Sequence, residues 1–348
     1  MQLYCNSTNF IYICQMNRQL ISRRNFIKWS GLLTAYLSVR SNLLNISIMQ
    51  TGYEVIIIGG SYAGLSAGMA LGRASRNILI IDSNLPCNRH TPHSHNFITL
   101  DGETPAAISE KAKQQVLRYP TVTFLKDKAV TGTKANGMFT ITTQSGKSFT
   151  TSKLLFATGV TDIMPPIGGI EDCWGISVIH CPYCHGYEVK GQKTAILANG
   201  EAAMHYARLL LQWTKDLTIF TNGNAGFDSE QLAKLKQYNI AVIEGHIAKL
   251  KHNKGYVEEI VMQNGDTYNY KVIYHKAAIK QHCNIPQQLG CGLNEQNLLI
   301  TDEMQKTNVP GVYAAGDCIT MMRSVANAVA QGSKAGAVIN NEMLFEAF

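Results

Sequence analysis

The sequence predicts an α/β fold in which one strand–turn–helix unit is built twice, with an antiparallel β-meander between the copies. Three observations predict it. A buried-strand run, Tyr53 to Ile58, passes straight into Gly59-Gly60-Ser61-Tyr62-Ala63-Gly64 and then into a helical pattern. The same order returns at Lys193 to Leu197, through Ala198-Asn199-Gly200-Glu201-Ala202-Ala203, into a helix ending near Trp213. From Val122 to Phe156 the pattern shifts to short alternating runs broken at Thr131-Gly132, Asn136-Gly137 and Ser145-Gly146. Asn-Gly and Ser-Gly steps between alternating runs mark hairpins.

A chain of 348 residues has room for two domains, because single cores rarely grow past ~250–300 residues. Hydrophobic content of 45% and charged content of 16% fit a globular protein. The formal charge of +7 is unevenly spread: Arg18, Arg23, Arg24, Lys28 and Arg40 lie in residues 1–48, which hold no acid. The remainder is nearly neutral and gives no basis for a nucleic-acid partner. Nine cysteines are too sparse and irregular for a secreted disulfide scaffold.

Residues 1–48 lie outside the predicted fold. Ser22-Arg23-Arg24-Asn25-Phe26-Ile27-Lys28 resembles a twin-arginine export signal followed by a short apolar stretch, Trp29 to Val39. No Ala-x-Ala site follows, and eleven residues fall short of the ~20 a membrane span needs. The alternative is initiation at Met49, which places the protein in the cytoplasm.

In the first unit, Leu65 to Arg76 reads as a helix and Ile78 to Ile81 as a second strand ended by Asp82. A strand, Gly-rich turn, helix, strand and acid within about 30 residues form a Rossmann-like dinucleotide-binding pattern. Small residues at Gly59, Ser61, Ala63 and Gly64 let backbone approach a pyrophosphate, the helix N-terminus carries roughly +0.5 charge, and Asp82 can accept from a ribose hydroxyl. Leu154 to Phe156 is a further strand, ending on Ala157-Thr158-Gly159, and Pro165 to Gly169 reads as a hinge. In the second unit Leu217 to Thr221 is the next strand. Near the end, Gly311 to Asp317 is a strand running into a Gly316-Asp317 turn, and the Ala- and Gly-rich helix Val325 to Glu342 must pack closely.

The chemistry is concentrated in His180-Cys181-Pro182-Tyr183-Cys184-His185. Two thiols separated by two residues in an α/β chain are a signature of reversible dithiol–disulfide exchange, one sulfur attacking and the other resolving. His180 and His185 bracket the pair and are candidates for the cation that lowers a thiol pKa, or for a proton carrier. Zinc is the competing use of such a pair. It needs two more ligands, which His180, His185 or the Cys87, His90, His93 and His95 group can offer.

Taken in this order, the Gly59–Gly64 turn, Ala157-Thr158-Gly159, the CPYC pair and Val309 to Asp317 resemble the flavoprotein disulfide reductases of the low-molecular-weight thioredoxin reductase type. The resemblance implies two Rossmann-like, three-layer ββα nucleotide-binding domains, the second inserted in the first. FAD binding falls to 49–162 and 279–348, and the inserted domain, 163–278, carries the CxxC. It also implies that Tyr62 shares the FAD turn, that Val130 touches adenine, that Asp317 holds the ribityl chain, and that Gly316 beside it belongs to the cofactor site. Ser324 and Val325, after Arg323, would open the helix facing the flavin. Cys184 is implied as the flavin-side thiol and Cys181 as the one that exchanges with a thioredoxin-like protein or a small disulfide or dithiol. Family members are commonly homodimers.

Three departures bear on function. His185 stands where thioredoxin-reducing members carry Asp, which makes Cys-x-x-Cys-His-Gly-Tyr-Glu similar to the gliotoxin- and holomycin-type dithiol oxidases. Cys87 to Phe97 replaces the reductases' Gly-Gly-Gln loop, and the His-Asn pair in it matches that same branch. The third lies at the nicotinamide turn, Ala198-x-Gly200-x-x-Ala203, which lacks its first glycine. The strand after it ends in Phe220-Thr221-Asn222-Gly223, without the arginines that pair a 2′-phosphate. That argues against NADPH and leaves NADH, a protein donor or no nicotinamide. Three functions follow: an FAD thiol–disulfide reductase, an oxygen-using dithiol oxidase, or a non-catalytic flavin-binding redox module.

Overall fold

The computed structural model describes residues 51–348, so the twin-arginine-like segment and Met49 lie outside the described residues. The first sheet opens with β1 (Thr51–Ile58), α1 (Tyr62–Arg73) and β2 (Ile78–Asp82), followed by α2 (Pro105–Val116) and β3 (Val122–Lys126). Then come β4 (Ala129–Ala135), β5 (Met138–Thr143) and β6 (Ser148–Phe156). Strand order is β3-β2-β1-β6-β5-β4, with β1, β2 and β3 parallel and β4, β5 and β6 antiparallel. Val122 to Lys126 is therefore a parallel edge strand beside β2, not the first strand of the meander as its alternation suggested. Alternation reports burial of one face and says nothing about the partner. Thr131-Gly132 is likewise not a turn but part of β4, at a register shift.

The chain leaves this sheet through β7 (Val160–Ile163) and continues into α3 (Ile170–Cys173), β8 (Val178–Ile179) and α4 (Pro182–His185). Next come β9 (Thr194–Leu197), α5 (Gly200–Leu210), β10 (Leu217–Phe220), α6 (Ser229–Gln237) and β11 (Ala241–Ile243). The antiparallel β12 (Ile247–Asn253), β13 (Tyr256–Met262) and β14 (Thr267–Asn269) precede β15 (Val272–His275). A second parallel sheet runs β11-β10-β9-β15-β8. The return is made by β16 (Ala278–Gln281), antiparallel to β7, so a two-stranded ribbon carries both crossings. Pro165 to Gly169 packs on β12, with Leu250 N donating to Gly168 O at 2.7 Å, and is not itself the crossing.

After α7 (Ile285–Gln288), β17 (Val312–Ala314) rejoins the first sheet beside the last three residues of β6, and α8 (Val325–Ala347) closes the chain. The period of two in β1 splits the core. Val55 and Ile57 face α1 and α8, while Ile56 and Ile58 face the meander. α8 packs on α1 closely, as its composition requires: a Cβ at Gly332 would collide with Ala63 O, and one at Gly336 would lie 2.8 Å from Ala67 O. Its far end is tied down by the buried Lys153, which pairs with Glu342 at 2.7 Å and with Glu346. No described helix is long and apolar enough to cross a membrane.

Candidate active site

The turn after β1 is shaped by what its first residue lacks. Gly59 has φ +103°, and a Cβ there would run into Ala157 O. The next amide, Gly60 N, donates to Asp82 Oδ1 at 2.9 Å, and Asn84 N donates to Oδ2 at 3.0 Å. Each Asp82 oxygen keeps acceptor capacity and the residue lines a cavity of about 1090 Å³. Ser61 caps α1 without a side-chain bond of its own, so the helix N-terminus opens toward that cavity. Gly64 lies off the cavity wall. A Cβ there would strike Gly59 O, so its smallness serves helix–strand packing.

Other predicted residues reach the same cavity from elsewhere in the chain. Val130 comes from β4, Gly316 and Asp317 from the turn after β17, and Ser324 and Val325 from the start of α8, where Ser324 accepts from Asn327 N at 3.1 Å. Tyr62 is buried beneath the turn, donating to Pro105 O at 3.3 Å and accepting from Asn88 at 3.2 Å. Burial raises its phenol pKa.

Sequence reading missed the ion network behind Asp317. Arg323 grips Asp162 with two nitrogens, at 2.6 and 3.2 Å, and reaches Asp317 Oδ2 with Nε at 3.2 Å. Trp174 Nε1 donates to Asp162 Oδ2 at 3.2 Å. Burial works against the Arg323 charge, but Asp162 and Asp317 more than restore it. Burial raises the Asp317 carboxyl while Arg323 pulls it back. Cys87, which opens on the cavity, points its thiol at Asp317 Oδ2 at 3.6 Å. The crowding around it and the Asp317 charge push that thiol up to about 11. No motif marks Asp162, a lone acid in a strand; Trp174 is at least one of only three tryptophans.

Cys181 and Cys184 are joined as a disulfide with Cα atoms 5.3 Å apart, Cys181 capping the short α4. Cys184, His180 and His185 line the cavity, whereas Cys181 is not among its lining residues. His180 stacks on Trp174 with centroids 5.7 Å apart. Burial, with the Arg323 charge added, lowers its pKa to about 4. It is neutral at physiological pH, so the cationic role open to it in the sequence falls away. Burial also lowers His185, against the pull of Glu188. Among the described residues no group of three or more His, Cys, Asp or Glu is placed to hold a metal ion.

Ala198 and Gly200 lie away from this cavity. Asn199 caps α5 and fills the turn with its own side chain: Oδ1 accepts from Gly200 N at 2.9 Å and Gly226 N at 2.8 Å, and Nδ2 donates to Asn224 O at 2.8 Å. Glu201 adds a negative charge to the first turn and is bound by Gln231 at 2.5 Å. Asn222 accepts from Ile247 N at 2.9 Å, and Thr221 donates to Gly223 O at 2.7 Å. These residues do not fit a dinucleotide pyrophosphate.

The first turn does fit one. A turn drawn tight by Gly59 and Gly64, where a Cβ would strike backbone, two helix N-termini, and the buried, unpartnered Thr158 Oγ1 on the same wall suit a large dinucleotide. A dinucleotide crevice with one sulfur of a redox-active cysteine pair on its wall defines a nucleotide-dependent disulfide oxidoreductase. Residues 53–332 match the pyridine nucleotide-disulphide oxidoreductase family, and the chain belongs to it. It is 29% identical to thioredoxin reductase sirT of Leptosphaeria maculans, across 84% of this chain and 94% of that one. Thioredoxin reductase tcpT of Claviceps purpurea is 30% identical, with the same coverage of each chain. Among solved structures, an oxidoreductase from Agrobacterium tumefaciens superposes with a TM-score of 0.80 at 35% identity, over 85% of this chain and 99% of that one. HlmI gives 0.80 at 28%, over 85% and 94%. The protein is a thioredoxin reductase-like, FAD-dependent oxidoreductase acting on a disulfide.

Proposed function

We propose that two electrons pass between FAD and a thiol partner through Cys181 and Cys184, with Cys184 on the flavin side and Cys181 exchanging with the partner. One observation carries this reading: Cys184 is on the wall of the cavity that the Gly59–Ser61 turn opens into, and Cys181 is not. Bound FAD supplies the two-electron redox chemistry. The chain's own residues position and protonate. A partner thiolate attacks Cys181 Sγ, the Cys181–Cys184 bond breaks, and Cys184 departs as a thiolate. His185, whose pKa burial lowers against the pull of Glu188, takes up the proton released. Gly59, Asp82, Val130, Gly316, Asp317, Ser324 and Val325 hold the nucleotide.

The direction of flow is the finer part of the proposal. The filled turn at Asn199 favours electrons entering from a dithiol, with the loss of two electrons and two protons converting it to a disulfide and dioxygen taking them up as peroxide. The reductive direction, toward a thioredoxin-like protein or small disulfide, requires a donor other than one bound at Ala198–Ala203. Mixing the oxidised holoprotein anaerobically with NADH, NADPH or dithiothreitol separates the two. Bleaching of the flavin by the dithiol alone, and its loss in Cys184→Ser, is the expected result; rapid bleaching by NADPH overturns the oxidative direction. A homodimer is proposed from the family resemblance, with sedimentation as its test. Initiation at Met49 would keep the enzyme in the cytoplasm, and N-terminal sequencing of the native protein decides between this and export.

A further inference from the structure

The loop between β2 and α2 contains a device that the exchange chemistry above leaves unused. From Ser94 to Glu103 it folds back on itself, Ser94 N donating to Glu103 O at 2.8 Å and Gly102 N to Ser94 O at 2.9 Å. Asn96 and Thr99 are held at φ +60° and +75°. A β-branched residue in that region is strained, and such strain gathers where a side chain must be aimed. What the fold-back aims is His95. Its Nδ1 lies 3.7 Å from Asp101 Oδ1 and its Nε2 lies 3.5 Å from Glu188 Oε1. Asn96 N fixes the same Asp101 oxygen at 2.7 Å, and the neighbouring His93 is anchored to Gly102 O at 2.9 Å. Glu188 comes from the segment that carries the cysteine pair, three residues beyond His185. His95 and His185 both line the cavity.

An imidazole with a carboxylate at each nitrogen can take a proton on one side and release it on the other. The outer end of such a path is open to water: the Asp101 side chain is 65% exposed, against 22% for His95 and 40% for Glu188. We propose that Glu188 and His95 are positioning residues that carry protons between His185 and solvent, with Asp101 as the outer end. The inference rests on the reading that Cys181–Cys184 exchanges with a dithiol. In that exchange the substrate's two S–H bonds break and its S–S bond forms, while the protein's S–S bond breaks and gains the two electrons. Cys184 is left as thiolate and Cys181 as thiol. One substrate proton is therefore kept by Cys181. The other goes to His185 and must leave. The charged and titratable groups facing His95 are Asp101 and Glu188, with His185 nearby and His93 at a ring distance of 6.5 Å.

The test is the anaerobic reduction of the holoprotein by dithiothreitol, stopped at intervals by alkylation so that mass spectrometry counts reduced Cys181 and Cys184. His95→Asn and Glu188→Gln are each compared with the parent from pH 6 to 9. Reduction slowed about tenfold or more near pH 6–7, converging on the parent toward pH 9 and restored by added imidazole, is expected. Flavin content and melting temperature should stay at parental values. Parental rates in both folded variants overturn the proposal, and so does slowing that is equal at every pH and untouched by imidazole. Should His95→Asn fail to fold, Glu188→Gln decides alone. A parent protein that dithiothreitol cannot reduce overturns the exchange reading, and the relay with it.

Discussion

Two turns of one chain, each ending a parallel strand and opening a helix, have opposite fates. After β1, Gly59 gives up its side chain, the amides of the turn open on a cavity, and Asp82 stands across from them. After β9, Asn199 fills the turn, Gly226 folds over it, and Glu201 sets a negative charge in the first helical turn. Both solutions satisfy the orphan amides that every helix N-terminus carries. In one case a ligand can satisfy them, and in the other the chain's own residues do. Topology provides the place, and a few side chains decide whether anything binds there.

The contrast breaks most sharply at the two glycines. Gly59→Val should give colourless protein that FAD cannot reconstitute, because the new side chain meets Ala157 O in a backbone conformation few residues adopt. Gly200→Ala should keep its flavin. Gly200 has φ +52° and a Cβ there would lie 3.3 Å from Gly226 O, a strain of about 1 kcal/mol. Absorbance ratios of the purified variants settle both.

Legibility in the sequence follows the range of the interactions. The first turn, Asp82, the cysteine pair and Gly316-Asp317 were visible because each is defined within a few residues by periodicity or spacing. The nicotinamide turn was also readable, as a missing glycine and missing arginines, though not that Asn199 would fill it. Helix α2 went unread despite a Thr104-Pro105 start in which Thr104 caps Ala107 N at 3.2 Å. The ion network was beyond reach: Arg323 and Asp162 are 161 residues apart, and nothing local says that they meet. His180 shows the same limit. Its place beside Cys181 suggested a cation, but burial against Trp174, which local sequence does not encode, makes it neutral.

That network is the next largest effect. Arg323→Met leaves Asp162 and Asp317 facing each other unpaired in a half-buried crevice, and should cost about 3–5 kcal/mol in urea unfolding. The second turn has no counterpart of that strength. Flavin occupancy should fall with it, since Asp317 and the α8 terminus share the cavity wall.

The pH dependence of stability sharpens the comparison further. His180 has a folded pKa of about 4 against an unfolded value of 6.5. The unfolded chain binds more protons between those values, so the stability that neutral His180 confers is complete above pH 6.5. It is lost as pH falls through 4, a change of up to about 3 kcal/mol. His180→Gln should flatten the urea midpoint over that window. A parental slope in the variant would place the titration elsewhere.

The smallest effect tests whether the second turn is merely plugged. Asn199→Ala removes acceptors for Gly200 N and Gly226 N and the donor to Asn224 O, and should cost about 1–2 kcal/mol. If the side chain were the whole obstacle, the variant would gain nicotinamide binding, visible by calorimetry and as flavin bleaching by NADH. The expected result is destabilisation without binding. Glu201 still repels a phosphate, and the Asn222–Gly226 loop still lacks a cation to pair one. A gain of NADPH affinity would mean that the two turns differ by one residue, and that the reductive direction is a single substitution away.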